Sequence, residues 1–417
     1  MREHLICLAV VALAVGGCLE DRVHGEAAAR SSADSESSAD DSKVPGRLGS
    51  RVFVVRRNGG LAVYDYHRRE LLDRTITGLG NLHHATMTFS PGLRWGFVAS
   101  RDGRLSRIDL RSLQRTGSVD TGDEAIDLAI GRRGRFVATA EYEPGGLTVL
   151  KANSLEVARN IPAVYREDGT EKRSRATAVV DATGNRFVFS LMEGGEAWIV
   201  DADDPKLPVT HRVPLAEGRA YDAMITADGR YYVVGHYQKE YVSVVDVEHP
   251  DRGAKKVSLR DPGGVYDPDH PVKLPHMASW ATARGRVFVP LVGDARLAVL
   301  DRDGWEFEAT VELRGDPVYA VRSPEGDEIW VTFSGEEDDA WVQVVDTDEL
   351  KVVEEFRVGD RIYHADFTPR GTYALVSANE TGVLTLIDTE SYEVVDRQKL
   401  PSPSGIFGIW RAFEIGL

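Results

Sequence analysis

TPRGTYALVSANETGVLTLID, residues 368–388, contains the unit from which this chain is built. It reads as a turn at Gly371, a strand of aromatic and branched residues, and a second apolar strand that ends at Asp388. The same unit recurs upstream. Its first element returns as RVFVV (51–55), SPGLRWGFVAS (90–100), GRRGRFVATA (131–140), DATGNRFVFS (181–190), TADGRYYVVG (226–235), ATARGRVFVP (281–290) and SPEGDEIWVT (323–332). Its second element ends at positions 65, 109, 151, 201, 246, 301, 346 and 388, so successive units lie 42 to 55 residues apart. Strand-length apolar runs at that period, with no sustained helical pattern, are the mark of propeller blades. The count predicts an all-β, eight-bladed β-propeller over residues 48–417.

A propeller must close. The first unit begins at its second strand, and the last is followed by the extra apolar segment Gly405-Ile406-Phe407-Gly408-Ile409-Trp410. That segment is expected to supply the innermost strand of the first blade and so remove the free sheet edges. The two longest gaps carry insertions near 161–172 and 257–273. Both fall between an outer strand and the next inner strand, which puts them on one face of the disc.

Composition bounds the rest. The chain has 50 basic and 66 acidic residues, a net charge of −16, which argues against nucleic acid and against binding an anionic membrane by charge. Residues 1–18 read as a leader: a short basic start, an apolar run from Leu5 to Val15 too short to span a bilayer, then Gly16-Gly17-Cys18. This resembles a lipoprotein signal peptide, with Cys18 the lipidation site and the membrane reached only through that anchor. Residues 19–47 are Ser/Ala/Asp-rich and read as a flexible tether. The expected location is the periplasm. Cys7 and Cys18 are the two cysteines, both in the leader, so residues 48–417 offer no disulfide, thiolate zinc site, cysteine nucleophile or C-x-x-C-H haem attachment. No phosphate loop, H-E-x-x-H or G-x-S-x-G pattern occurs.

The innermost strands are expected to begin seven to nine residues before each turn glycine. Those positions are His84, Asp127, Arg175, Tyr221, His276, Tyr319 and His364, one from each of seven blades. Imidazole can ligate iron, arginine can hold carboxylates in pairs, and tyrosine can hydrogen-bond or pack on a ring. Such a set suits a flat, carboxylated macrocycle. Any one of these histidines, taken alone, reads more readily as a hydrogen-bonded packing group than as a ligand.

The stretches LGNLHHATMTFSPG (79–92), ASRDGRLSRIDL (99–110), YEPGG (142–146), YDAMITADGRYYVVG (221–235), VKLPHMASWA (272–281), HADFTPRG (364–371) and PSGIFGIWRAFEIGL (403–417) carry a resemblance. They resemble the NirF family of haem d1 biosynthesis proteins and, more distantly, the d1 propeller of cytochrome cd1 nitrite reductase. The resemblance implies a periplasmic propeller that holds haem d1 or its precursor non-covalently on its axis. It implies His84 as the metal ligand to iron, with His83 on the opposite strand face, and Arg175 near the cofactor's carboxylates. His364 and Tyr319 complete the expected cofactor contacts. The same resemblance aligns Ala182 and Tyr221 with the reductase's two catalytic histidines, and the chain lacks a c-haem domain, so nitrite reduction is not expected. Two readings stay open. One is a maturation oxidoreductase acting on a dihydro-haem d1-like precursor, with Tyr221, His276 or Asp127 moving protons. The other is a carrier that passes the tetrapyrrole to cytochrome cd1 nitrite reductase or to other late biosynthesis proteins. An unrelated scaffolding propeller is the bland alternative.

Overall fold

The aspartates that close the repeats explain how each blade turns. Asp109 Oδ1 accepts the backbone N–H groups of Arg111 and Ser112, both at 2.9 Å. Asp346 does the same for Asp348 and Glu349 at 2.8 and 2.7 Å, and Asp388 for Glu390 and Ser391 at 3.1 and 3.0 Å. A short carboxylate that satisfies its own following amides fixes a tight turn into the outer strand. The turn then ends on a left-handed residue, as at Leu113, Leu350 and Tyr392.

The computed structural model describes residues 47–261 and 280–416. These form eight four-stranded antiparallel sheets and one added two-stranded hairpin. The inner strands are Thr86–Phe89, Glu124–Ile130, Ala176–Ala182, Ala220–Ile225, Ala281–Ala283, Asp316–Arg322 and Ile362–Phe367, for blades 2 to 8. Blade 1 takes its inner strand from the C-terminal end, Pro403–Gly408. Neighbouring inner strands touch around a common axis. The middle strands are buried on both faces, as Val52 to Val55 and Phe187 to Phe189 show, and branched and aromatic residues suit that setting. Outer strands such as Lys351–Arg357 face water.

Closure occurs where the sequence places it. Phe407 pairs with Phe53, Ile406 with Val54 and Gly408 with Val52. The strand lies two residues earlier than expected, because Ile409 and Trp410 leave the sheet and begin the 3-10 turn Ile409–Phe413. The Trp410 indole folds back onto Gly408, where a Cβ would lie 2.0 Å from the ring, and it meets Tyr66 edge-on at 5.9 Å. Beyond the turn the chain crosses the axis: Gly416 N–H donates to Asp181 Oδ1 of blade 4 at 2.8 Å and packs on Ile225 of blade 5.

The face on which inner strands begin is called upper here. The 161–172 insertion forms the hairpin Val164–Glu167 with Thr170–Arg173 on that face. Part of the second insertion, with His276, lies outside the described residues, as do the leader and Cys18.

Deleting residues 403–417 exposes the edge of Arg51–Arg56 and removes Ile406 and Phe407, each worth about 1.5–3 kcal/mol of burial. The truncated protein is expected to aggregate and to lose its single cooperative thermal transition in calorimetry. A native melting curve would mean that the ring closes elsewhere.

Candidate functional site

The inner strands are irregular at one level. Their pairing with the second strands shifts register at Ala125/Asp127, Thr177/Val180, Ala220/Ala223, Pro317/Tyr319 and Ile362/His364. A bulge bends a strand and re-aims a side chain. Repeated around the ring, it turns side chains onto the axis, where a channel cavity of about 90 Å³ is lined by His84, Asp127, Tyr319, Tyr363 and His364 among others.

The seven residues expected at one level do not form a single ring. His84 and Arg175 precede their strands, whereas Asp127, Tyr319 and His364 sit within theirs. Those three share a register: each lies seven residues before the left-handed glycine of a four-residue turn, at Gly134, Gly326 and Gly371. The same step back from Gly229 lands on Asp222, not Tyr221. Asp222 is buried, with Oδ1 accepting the Ala223 N–H at 3.2 Å. Sequence reading missed it by one residue.

His84 and His83 are not on opposite faces of a strand, because both lie in the turn before one. His84 has φ +58°, a left-handed conformation that costs of order 1–3 kcal/mol in a non-glycine residue and concentrates at functional sites. The two imidazoles meet edge to face at 4.1 Å. His84 Nδ1 lies 2.7 Å from the Tyr363 hydroxyl, a partner the sequence reading did not name. Burial pushes the Tyr363 hydroxyl up to about 12, so it is neutral and can accept or donate. When Nδ1–H donates to Tyr363, the ring's lone pair is on Nε2.

Around this pair stands a cationic collar. Burial and the charges of Arg57, Arg101 and Arg361 all lower the pKa of His83. Arg101 pairs with Glu124, and Arg361 Nη1 lies 2.8 Å from Glu380 Oε1. Arg101 and Arg175 lie over the Tyr142 ring at 5.1 and 5.4 Å. Arg175 is also held by Glu193, Nε to Oε1 at 2.8 Å, beside rather than in the channel. Tyr221 stands edge-on to Tyr237 at 5.1 Å, and burial with nearby Asp222 holds its hydroxyl well above the usual range. The collar arginines were legible in principle. Arg57 and Arg101 follow second strands, so the repeat puts them on the face where inner strands start.

Deeper in, burial sets the proton states. His364 Nδ1 accepts the Ile406 N–H at 3.2 Å, which places the proton on Nε2. Burial lowers its pKa to about 3, so it stays neutral. Its ring stacks on Phe407 at 6.2 Å and meets Tyr319 edge-on at 5.5 Å. A histidine whose Nε2 carries hydrogen is a donor, not a metal ligand. Burial raises Asp127 to about 7, opposed by the Leu128 N–H that its Oδ1 accepts at 2.8 Å. Outside the axis, Asp246, Glu248 and His249 come together, but Arg230 at 2.8 Å and Arg252 at 3.7 Å already neutralise Asp246, which disfavours a cation.

With this geometry in hand, the comparisons are informative. The profile of the Cytochrome D1 heme domain family matches residues 47–412. Protein NirF of Pseudomonas aeruginosa is 36% identical over 366 residues, 88% of this chain and 92% of the relative. Protein NirF of Stutzerimonas stutzeri is 34% identical over 367 residues, 88% of this chain and 93% of the relative. Among solved structures, the dihydro-heme d1 dehydrogenase NirN in complex with DHE superposes with a TM-score of 0.75 at 25% identity, over 88% of this chain and 77% of that one.

The buried carboxyls predict a pH profile. Asp127 at about 7 and Asp181 and Asp366 at about 6 all lie above their usual 3.8. The folded state therefore binds protons more tightly, and this contribution to stability is full below pH 4 and lost as pH rises through 6 to 7. Asp127→Asn is expected to stabilise the fold more at pH 8 than at pH 5, the two effects differing by a free energy on the order of a few kcal/mol. An equal effect at both pH values would contradict the assignment.

Proposed function

The chain belongs to the cytochrome D1 heme domain family, within its NirF group, and from that premise we propose that its upper mouth holds haem d1 or a late precursor of dihydro-haem d1 type during maturation of the cofactor. The observation that carries the reading is the pair of His84 and Tyr363 set at the end of the axial channel beneath a collar of arginines. These residues fit the group. An imidazole oriented through Nδ1 suits iron at Nε2, and guanidinium groups suit the ring's carboxylates. Neutral tyrosines offer hydrogen bonds and ring edges. When bound, the tetrapyrrole supplies the iron and the redox-active conjugated ring.

The chain's own residues do the rest. Tyr363 fixes the tautomer of His84. Arg57, Arg101 and Arg361 hold carboxylates at the rim, while Glu124 and Glu380 hold two of those arginines in place. Arg175, tied to Glu193 and Tyr142, supports the collar from the side. His364 and Tyr319 present N–H and O–H groups below. Asp127, poised near neutrality and facing the channel, is the group best suited to accept or return a proton at physiological pH, with Asp222 and Tyr221 beside it. That poise favours a catalytic part in maturation over carriage alone. Incubation with dihydro-haem d1 separates the two: conversion of its absorption spectrum, lost in Asp127→Asn while binding persists, supports catalysis. Binding without conversion leaves a carrier that hands its cargo to nitrite reductase or another late protein.

For the ligand, His84→Ala is expected to shift the absorption bands of the haem d1 complex, and Tyr363→Phe to shift them less. Arg361→Ala is expected to weaken affinity roughly ten- to a hundredfold, about 1.5–3 kcal/mol, with little spectral change. A band shift in His83→Ala but none in His84→Ala would move the iron contact to the neighbouring ring. No shift in either would contradict ligation here.

We also propose that the leader directs export and that Cys18 carries the lipid anchor. The support is the small-small-Cys pattern after a short apolar run. Wild type is expected to sediment with membranes in high salt, and Cys18→Ser to appear soluble or unprocessed. Wild type in the soluble periplasmic fraction would contradict this.

A further inference from the structure

The opposite end of the axis has a larger void that the reading above does not use. On the lower face, the turns after the inner strands and the C-terminal crossing enclose a cavity of about 480 Å³. That volume lies within the range of small-molecule sites, roughly 300–1,000 Å³. Its charged lining is Arg132, Arg322, Arg411, Asp181, Asp366 and Glu414. Elsewhere on the disc, arginines such as Arg175, Arg230, Arg286 and Arg314 are tied to carboxylates. Here, among the described residues, none of the three arginines makes an ion pair.

Arg411 is the telling one. It is only 9% exposed, its Nε–H has no hydrogen-bond partner, and its nearest aromatic support is the Phe407 ring at 5.2 Å. Beside it, Asp366 Oδ1 accepts the Phe367 N–H at 2.9 Å while Oδ2 has no partner. A buried N–H left without a hydrogen bond is costly unless something completes it, and the charge of Arg411 already acts on Asp366 beside it. The arginines come from blade 3, blade 7 and the segment after blade 1, so they face the cavity from different sides and suit an anion with several carboxylates.

We propose that the lower mouth binds a small polycarboxylate, seated with one carboxylate on Arg411 and the others toward Arg132 and Arg322. The acidic neighbours do not forbid this. Burial lifts Asp181 and Asp366 to about 6, so both take up protons as pH falls, and His364 remains neutral. Glu414 is the remaining carboxylate of the lining, beside three arginines. Binding therefore strengthens from pH 8 to pH 6.

The test is calorimetric titration of the full chain with citrate, succinate and inorganic phosphate. Citrate is expected to bind saturably, more tightly at pH 6 than at pH 8 and more tightly than phosphate. Arg411→Gln should weaken it roughly ten- to a hundredfold, and Arg322→Gln several-fold. Should Arg411→Gln fail to fold, Arg132→Gln with Arg322→Gln decides the matter. His84→Ala and Arg361→Ala, at the other mouth, should leave citrate affinity unchanged, so the result stands apart from haem d1 binding. No saturable citrate or succinate binding, equal binding of phosphate, or binding indifferent to the lower arginines would each overturn the proposal.

Discussion

The pairing of Phe407 with Phe53 joins the two ends of the folded chain, and the axis depends on it. A propeller has no covalent ring, so eight sheets hold a channel open between them only while the last strand completes the first blade. The closing strand also builds the site. Its Ile406 N–H fixes the tautomer of His364, its Gly405 and Phe407 line the channel, and the residues after it set Arg411 below and carry the chain across to Asp181. Closure, channel and lower mouth are thus one structural unit.

Charge is distributed with the same economy. A chain of net charge −16 places arginines at both ends of its axis, in two different states. At the upper mouth Arg101, Arg175 and Arg361 are braced by glutamates, which keeps them oriented and ready to share their donors. At the lower mouth the arginines make no ion pair among the described residues, and burial raises the carboxyls of Asp181 and Asp366 to about 6. Between the two, burial keeps Tyr319 and His364 neutral and raises Asp127 to about 7. Desolvation, more than any specific ion pair, sets their proton states.

The architecture was legible in the sequence because its signals are periodic. Glycine turns and apolar strands recur along the chain, and seven of the eight units end in aspartate, so blade count and closure follow from spacing. The site was legible only in part. Asp127, Tyr319 and His364 were found because each lies seven residues before a turn glycine, and His84 because the spacing was allowed to run from seven to nine. That same latitude let Tyr221, eight residues before Gly229, be named in place of Asp222 at seven. The placing of His83 and His84 on opposite faces failed because alternation applies within a strand and both residues lie in a turn. Tyr363 is adjacent to a named histidine and Arg361 three residues before it, yet their roles depend on contact with blade 2, which sequence does not encode locally. Arg411 was invisible for the same reason: its meaning comes from what does not touch it.

The central claim is that a haem d1-type tetrapyrrole rests on the upper mouth, against His84 and the arginine collar. Hydrogen exchange measured by mass spectrometry, with and without haem d1, locates the ligand directly. The account predicts slower exchange at residues 82–86 and 361–365, with residues 409–416 unchanged. Protection confined to residues 409–416, with none at the upper mouth, would contradict it.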